Sequence, residues 1–230
     1  YAQFHRCIEA CRSMNNAGGQ ESAMKEAYNG LNQVKELEHH RSEALSLIRQ
    51  ANNVLGDSKS RGTSRRCSRP SDVDCRAAKI LSVEALSHTK AARGICPIAI
   101  WPIILHVKAL IASREYENYE SAARLCLDEI MNREAESKSM DQQDGLHTFF
   151  MTNLLQLHLL CGRALHLSGD LETSQKTLKN AYSRFSHERF VEDQSKEKSE
   201  AMKETQGEMH AVKDMQTRRE CGNFEFRNQK

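Results

Sequence analysis

Prolines and aromatics are scarce in this 230-residue chain, which holds three Pro and 6% Phe, Trp and Tyr together. So few prolines leave helices uninterrupted, and so few aromatic and β-branched runs leave little material for strands. Helix formers dominate instead, and the chain reads as all-α. No apolar stretch approaches the roughly 20 residues that cross a bilayer; the longest, residues 95–105, contains Pro97 and Pro102. Net charge is equally slight, +2 with 28% charged residues of both signs, which describes a mixed solvated surface and no footprint for nucleic acid. A Gly-rich phosphate loop, a Gly-x-Ser-x-Gly elbow, a His-Glu-x-x-His motif and paired-cysteine metal motifs are all missing. Catalytic residues, cofactors and metals therefore have no motif to rest on, and binding is the expected activity.

What is present is helical material. An apolar content of 39% suffices for a modest core. Eight cysteines stand at irregular spacing, mostly inside helical patterns, and read as reduced, buried side chains of a cytoplasmic or nuclear protein rather than a disulfide framework. The chain begins at Tyr1 without an initiator Met or signal peptide, and both ends fall inside helical patterns, so it is expected to be a segment of something longer.

Four regions follow from the apolar spacing. Residues 1–56 hold a short helical pattern (Phe4, Cys7, Ile8, Cys11), ended by Asn15 to Gly19. From Glu21 a stripe then runs through Met24, Leu31, Leu45, Ile48 and Leu55, carried by one helix or two. Residues 57–76 are a basic, Ser/Arg-rich flexible insertion. Residues 77–186 contain a helix to Arg93, a turn at Gly94 and Pro97, and a helix opening at Pro102. A turn over 114–118, a helix over 119–131 and a polar loop over 132–145 follow. Residues 187–230 are a long charged helix that leads into Gly222-Asn223-Phe224-Glu225-Phe226.

Residues 155–186 are the most legible stretch. Two apolar helical runs meet at Ser168-Gly169-Asp170, and Gly162 sits where a backbone must approach its neighbour closely. Such a hairpin cannot bury its own apolar faces, so further hairpins should flank it.

In spacing this stretch resembles the tetratricopeptide repeat. Gly162 and Ser174 take its small sites, Leu165 and Leu178 its apolar sites, Gly169 its turn and Ala181 its late small site. His158, Cys161 and Ser186 depart from the usual residue types. Ala109, Tyr119, Ala122 and Cys126 repeat the theme one unit earlier. Gly222-Asn223-Phe224-Glu225-Phe226-Arg227 resembles the Gly-Asn-x-x-Phe-Lys opening of repeats in chaperone adaptors. The order of features resembles the middle of tetratricopeptide co-chaperones that end in a J-domain, of the DnaJ subfamily C member 7 type. No His-Pro-Asp of a J-domain occurs in the chain itself.

This resemblance implies an α-solenoid of antiparallel helix pairs that binds proteins or peptides, including the C-terminal tails of heat-shock chaperones. It also places Arg219 and Asn223 at two positions of a carboxylate clamp, where a cation and an amide at i, i+4 can share one carboxylate. The alternative is a scaffold subunit of a multiprotein complex with no chaperone role.

Sharper readings of other residues yield to plainer ones. Cys7 and Cys11, with His5 nearby, stand at metal-ligand spacing but lack a second ligand pair, and read as buried cysteines. His39 with His40, and His158 with His166, read as structural; the second pair suits a groove or an interface better than catalysis. The basic run from Lys59 to Arg69 has no interleaved aromatics and reads as solvated.

Overall fold

Helix-forming sequence is used almost without interruption in the computed structural model, which describes residues 17–57, 71–137, 145–187 and 192–227. Its elements are all helices: α1 (Ala17–Asp57), α2 (Asp72–Ile95), α3 (Trp101–Ala112), α4 (Tyr116–Ser137), α5 (Gly145–Ser168), α6 (Leu171–His187) and α7 (Glu192–Arg227). The expected helical pattern over 1–14 and the core of the basic insertion, 58–70, lie outside the described residues.

The stripe that begins near Glu21 is carried by one helix. α1 is 41 residues long, about 60 Å at 1.5 Å per residue, and Gly18, Gly19 and Gly30 lie inside it. A glycine costs a helix about 1 kcal/mol against alanine, which a long run of Glu, Lys, Leu and Ala outweighs.

α2 starts earlier than apolar spacing indicates, because Ser71 and Asp74 form a capping box. The Ser71 hydroxyl accepts the amide of Asp74 at 3.1 Å, and the Asp74 carboxylate accepts the amide of Ser71 at 3.2 Å. The insertion expected over 57–76 therefore ends before Asp72. Further along, Ala78, Ser82, Ala85, Thr89 and Ala92 alternate four and three residues apart and are all buried, so small side chains let α1 approach closely. Ser82 donates to the Ala78 carbonyl at 2.8 Å and Thr89 to that of Leu86 at 2.9 Å, which satisfies both buried hydroxyls.

Pro102 occupies the first turn of α3, where its missing N–H costs nothing. Between α3 and α4 the chain turns at Arg114, whose φ is 55°. The turn is held by Ser113, whose hydroxyl accepts the side-chain amide of Asn118 at 2.7 Å. α4 then continues to Ser137, through half of what reads in sequence as a polar loop. Arg133 explains the extension: it pairs with Glu129 at 2.6 Å and donates to the Ile98 carbonyl at 2.9 Å. One residue on, Glu134 receives Arg184 of α6 at 2.6 Å.

α5 and α6 form the expected hairpin. Gly169 has φ 92°, the amide of Asp170 donates to the Leu165 carbonyl at 2.9 Å, and that of Gly169 to His166 at 3.1 Å. Asp170 then caps α6 by accepting the amide of Thr173 at 3.1 Å. α7 runs without a break through Gly222 and Asn223, where a fresh repeat was expected to open.

Every helix packs on its sequence neighbours. Beyond neighbours, among the described residues, the backbones of α1 and α3, α3 and α5, and α5 and α7 approach one another; α4 and α6 meet through side chains, as in Arg184–Glu134. The molecule thus has an inner row, α1, α3, α5 and α7, and an outer row, α2, α4 and α6. Its largest core joins α3, α4 and α5 with Ala181 and Phe185 of α6 and Ala201 of α7. A smaller core joins α1, α2 and α3 through Ala44, Leu47, Ile48, Ala85 and Leu105.

Candidate functional site

A helix buries one stripe and presents another, and in the inner row the stripes left over by packing converge. α1 supplies Leu45, Ile48, Arg49 and Asn52, spaced as one helical face, and α5 supplies Gln156, Leu159, Leu160 and Arg163 at the same spacing. Lys108, Ile111 and Ala112 of α3 and Glu200, Ala201 and Glu204 of α7 complete a groove of about 720 Å³. Every lining residue belongs to the inner row.

The floor is aliphatic and the rim is charged with a direction. Cations stand on α1, α3 and α5 (Arg49, Lys108, Arg163) and anions on α7 (Glu200, Glu204). Arg49 and Arg163 are exposed. Lys108 is half-buried, and burial pushes its ammonium below the usual lysine range while Glu204 pulls it partly back. Among the described residues none of the three cations forms an ion pair. A partly desolvated cation that forms no ion pair favours an anion that enters beside it. The lining holds no Ser, Thr, Cys or His; its polar groups are Asn52, Gln156 and the five charged side chains.

The residues singled out in sequence lie elsewhere. His158 and His166 do not meet and do not line the groove; each joins helices. His158 packs edge-on to Phe185, with ring centroids 5.9 Å apart, and its Nε2 lies 3.4 Å from the Glu134 carboxylate. Burial holds the His158 imidazole below its usual range, against the pull of Glu134. His166 Nδ1 meets Glu208 of α7 at 2.5 Å. Of the groove or interface position expected for this pair, the structure gives the interface: the two rings, eight residues apart on α5, meet different neighbouring helices. His39 and His40 of α1 meet His88 of α2, a partner 48 residues away from His40 that no local pattern signals.

Arg219 is exposed on α7, and its Nη1 donates to the Gly169 carbonyl at 3.2 Å beside Gln216, which donates to that of Leu171 at 3.4 Å. These bonds pin α7 to the α5–α6 turn. Asn223 belongs to the same helix, and its side chain lies outside the described residues, as do Cys7, Cys11 and the basic run from Lys59 to Arg69. Cys126 and Cys161 are buried, and burial raises both thiols, that of Cys161 to about 12, which agrees with apolar packing.

Two features escape the sequence reading. Lys108 sits in a run of apolar residues and signals nothing alone. His106 is half-buried, bonded to the Thr89 hydroxyl at 2.8 Å, and lowered to about 4 by burial and then by Arg93 and Lys90. Comparison with protein-family models, curated proteins and solved structures gives no match to this chain.

Proposed function

We propose that this chain is a protein-interaction adaptor: an α-solenoid of tetratricopeptide-like helix pairs whose inner row holds an acidic peptide segment of a partner protein. The observation that carries this reading is the groove, lined by all four inner-row helices and no outer-row helix, with three unpaired cations above an aliphatic floor. A peptide lays its apolar side chains on Ile48, Ile111 and Leu159 and brings a carboxylate to Lys108, flanked by Arg49 and Arg163. Glu200 and Glu204 repel acidic groups from the far wall and so set the orientation.

The packing of the 155–186 hairpin supports the repeat reading. Gly162, Leu165, Ser174, Leu178 and Ala181, the helical positions that carry the resemblance, are all buried, and Gly169 at the turn is half-buried. The narrower form of the proposal is a co-chaperone, cytoplasmic or nuclear, whose ligand is the carboxyl-terminal tail of a heat-shock chaperone. Arg219 and Asn223 then serve as part of a second carboxylate site, since a guanidinium with five donors retains several after its bond to Gly169.

Titration of the chain with a fluorescent acidic peptide, carboxyl-terminated or amidated, tests both forms. Salt-sensitive binding that Lys108→Met weakens about tenfold supports the groove. Binding that amidation and Asn223→Ala abolish while Lys108→Met leaves it intact moves the site to the end of α7. No binding to either peptide favours the scaffold reading and ends this one.

A further inference from the structure

His39 and His40 are adjacent on α1, where consecutive side chains diverge by about 100°. Neither helix alone would bring a set of ligands together. Across the small-residue contact with α2, however, His88 stands within reach of both, with ring centroids 6.0 Å from His39 and 5.3 Å from His40, while His39 and His40 are 5.6 Å apart. One nitrogen from each of the three rings lies within 4.8 Å of the others. His40 Nδ1 and His88 Nδ1 are 3.0 Å apart.

Those spacings suit a cation. An ion about 2.05 Å from each imidazole nitrogen in tetrahedral geometry places the nitrogens about 3.3 Å from one another. The closest pair here is already near that distance, and the nitrogen of the third ring lies within 4.8 Å of both. A hydrogen bond between two neutral imidazoles accounts for the His40–His88 contact but leaves His39 without a reason to turn toward them.

The second nitrogen of His40 points the same way. With Nδ1 directed at the cluster, Nε2 lies 4.0 Å from the carboxylate of Glu36, one helical turn earlier on α1. Metal-bound histidines as a rule give their other N–H to a carboxylate or carbonyl, which fixes the ring and raises its basicity. His39 is exposed and the other two are half-buried, so one side of the cluster faces water.

We propose that His39, His40 and His88 form a binding site for a divalent ion of the zinc class, with Nδ1 of His40 and of His88 as ligands. The Glu36 carboxylate, 4.0 Å from His40 Nε2, comes into hydrogen-bond range of that N–H by a shift of its side chain, and water takes the open position. Imidazole donors of this kind suit Zn²⁺, Cu²⁺ and Ni²⁺ rather than Mg²⁺ or Ca²⁺. The ion ties α1 to α2 midway along a contact made of small side chains, and so stabilises the helix pair by mass action. The site is independent of the groove.

The test is a Co²⁺ titration of the whole chain followed by absorbance, with Zn²⁺ as competitor. One ion per chain is expected, with the d–d bands of a nitrogen site and no thiolate charge-transfer band. His88→Gln should weaken binding by at least about 100-fold and Glu36→Gln by about tenfold. His210→Gln, on an exposed face of α7, should leave binding unchanged. Saturating Zn²⁺ should raise the thermal midpoint of the wild type and not of His88→Gln. His39→Gln, altered at an exposed position, provides a folded second variant with the same expected loss. Affinity unchanged in both histidine variants, a thiolate band that assigns the ion to cysteines, or no stoichiometric ion at micromolar concentration would each overturn the site.

Discussion

Gly162 of α5 and Leu178 of α6 share a space that has no room for a methyl group: a Cβ at position 162 would lie under 3.0 Å from both Cγ and Cδ2 of Leu178. Leu178 is fully buried, so moving it aside disturbs the packing around it. Ser174 reinforces the approach by donating to the Gly162 carbonyl at 2.7 Å. The hairpin is thus closed by a glycine and the leucine that covers it.

Gly162→Ala sets two effects against each other. Alanine favours the helix by about 1 kcal/mol, whereas overpacking a tight core costs about 1–3 kcal/mol. With the overlap falling on a buried side chain, the steric cost wins, and urea denaturation should show a net loss of about 1–2 kcal/mol. Gly207 on α7 is exposed and has open space around it, so Gly207→Ala should gain about 0.5–1 kcal/mol. Equal shifts of the same sign at both positions would refute the close approach.

Lys108→Met should raise stability and weaken peptide binding together. The folded state lowers the lysine's proton affinity through burial, so the protonated side chain opposes folding, and an apolar replacement relieves about 1 kcal/mol. In the wild type the unfolded chain binds the proton more readily than the folded one, so this group makes stability rise with pH once the folded-state value is passed. Thermal melts of the variant at neutral pH check the first effect and the peptide titration checks the second; a destabilised variant would count against the groove as a binding site.

His106 should make the fold acid-sensitive. Its imidazole is held at about 4 against 6.5, first by burial and then by Arg93 and Lys90. Between those values the unfolded chain takes up a proton that the folded chain refuses, so stability is full above pH 6.5 and falls as pH drops toward 4. Discounted for partial exposure, the loss is about 2 kcal/mol. In His106→Gln the part of the slope that belongs to this group should vanish from urea melts across that range. An unchanged slope would show that other groups carry it.

The reach of the sequence can be followed residue by residue. Turn chemistry and helical spacing located Gly169, Gly162 and the pairing of their helices, because both act within a few residues. The Ser71–Asp74 capping box is equally local and was legible, but a reading led by apolar spacing passes over it. The end of α4 was not legible: Arg133 and Glu134 are held by Ile98 and Arg184, so their helical state depends on contacts 35 and 50 residues away.

By itself the sequence determined that this protein is helical, where most of its helices lie and which small residues let them pair. Periodicity fixes the phase of side chains around one helix, and that suffices for these features. Only the tertiary structure decided that Arg49, Lys108 and Arg163 line one groove and that His88 joins His39 and His40. The rotation and offset of one helix against another come from the packing of whole faces, and no spacing within a single helix encodes them.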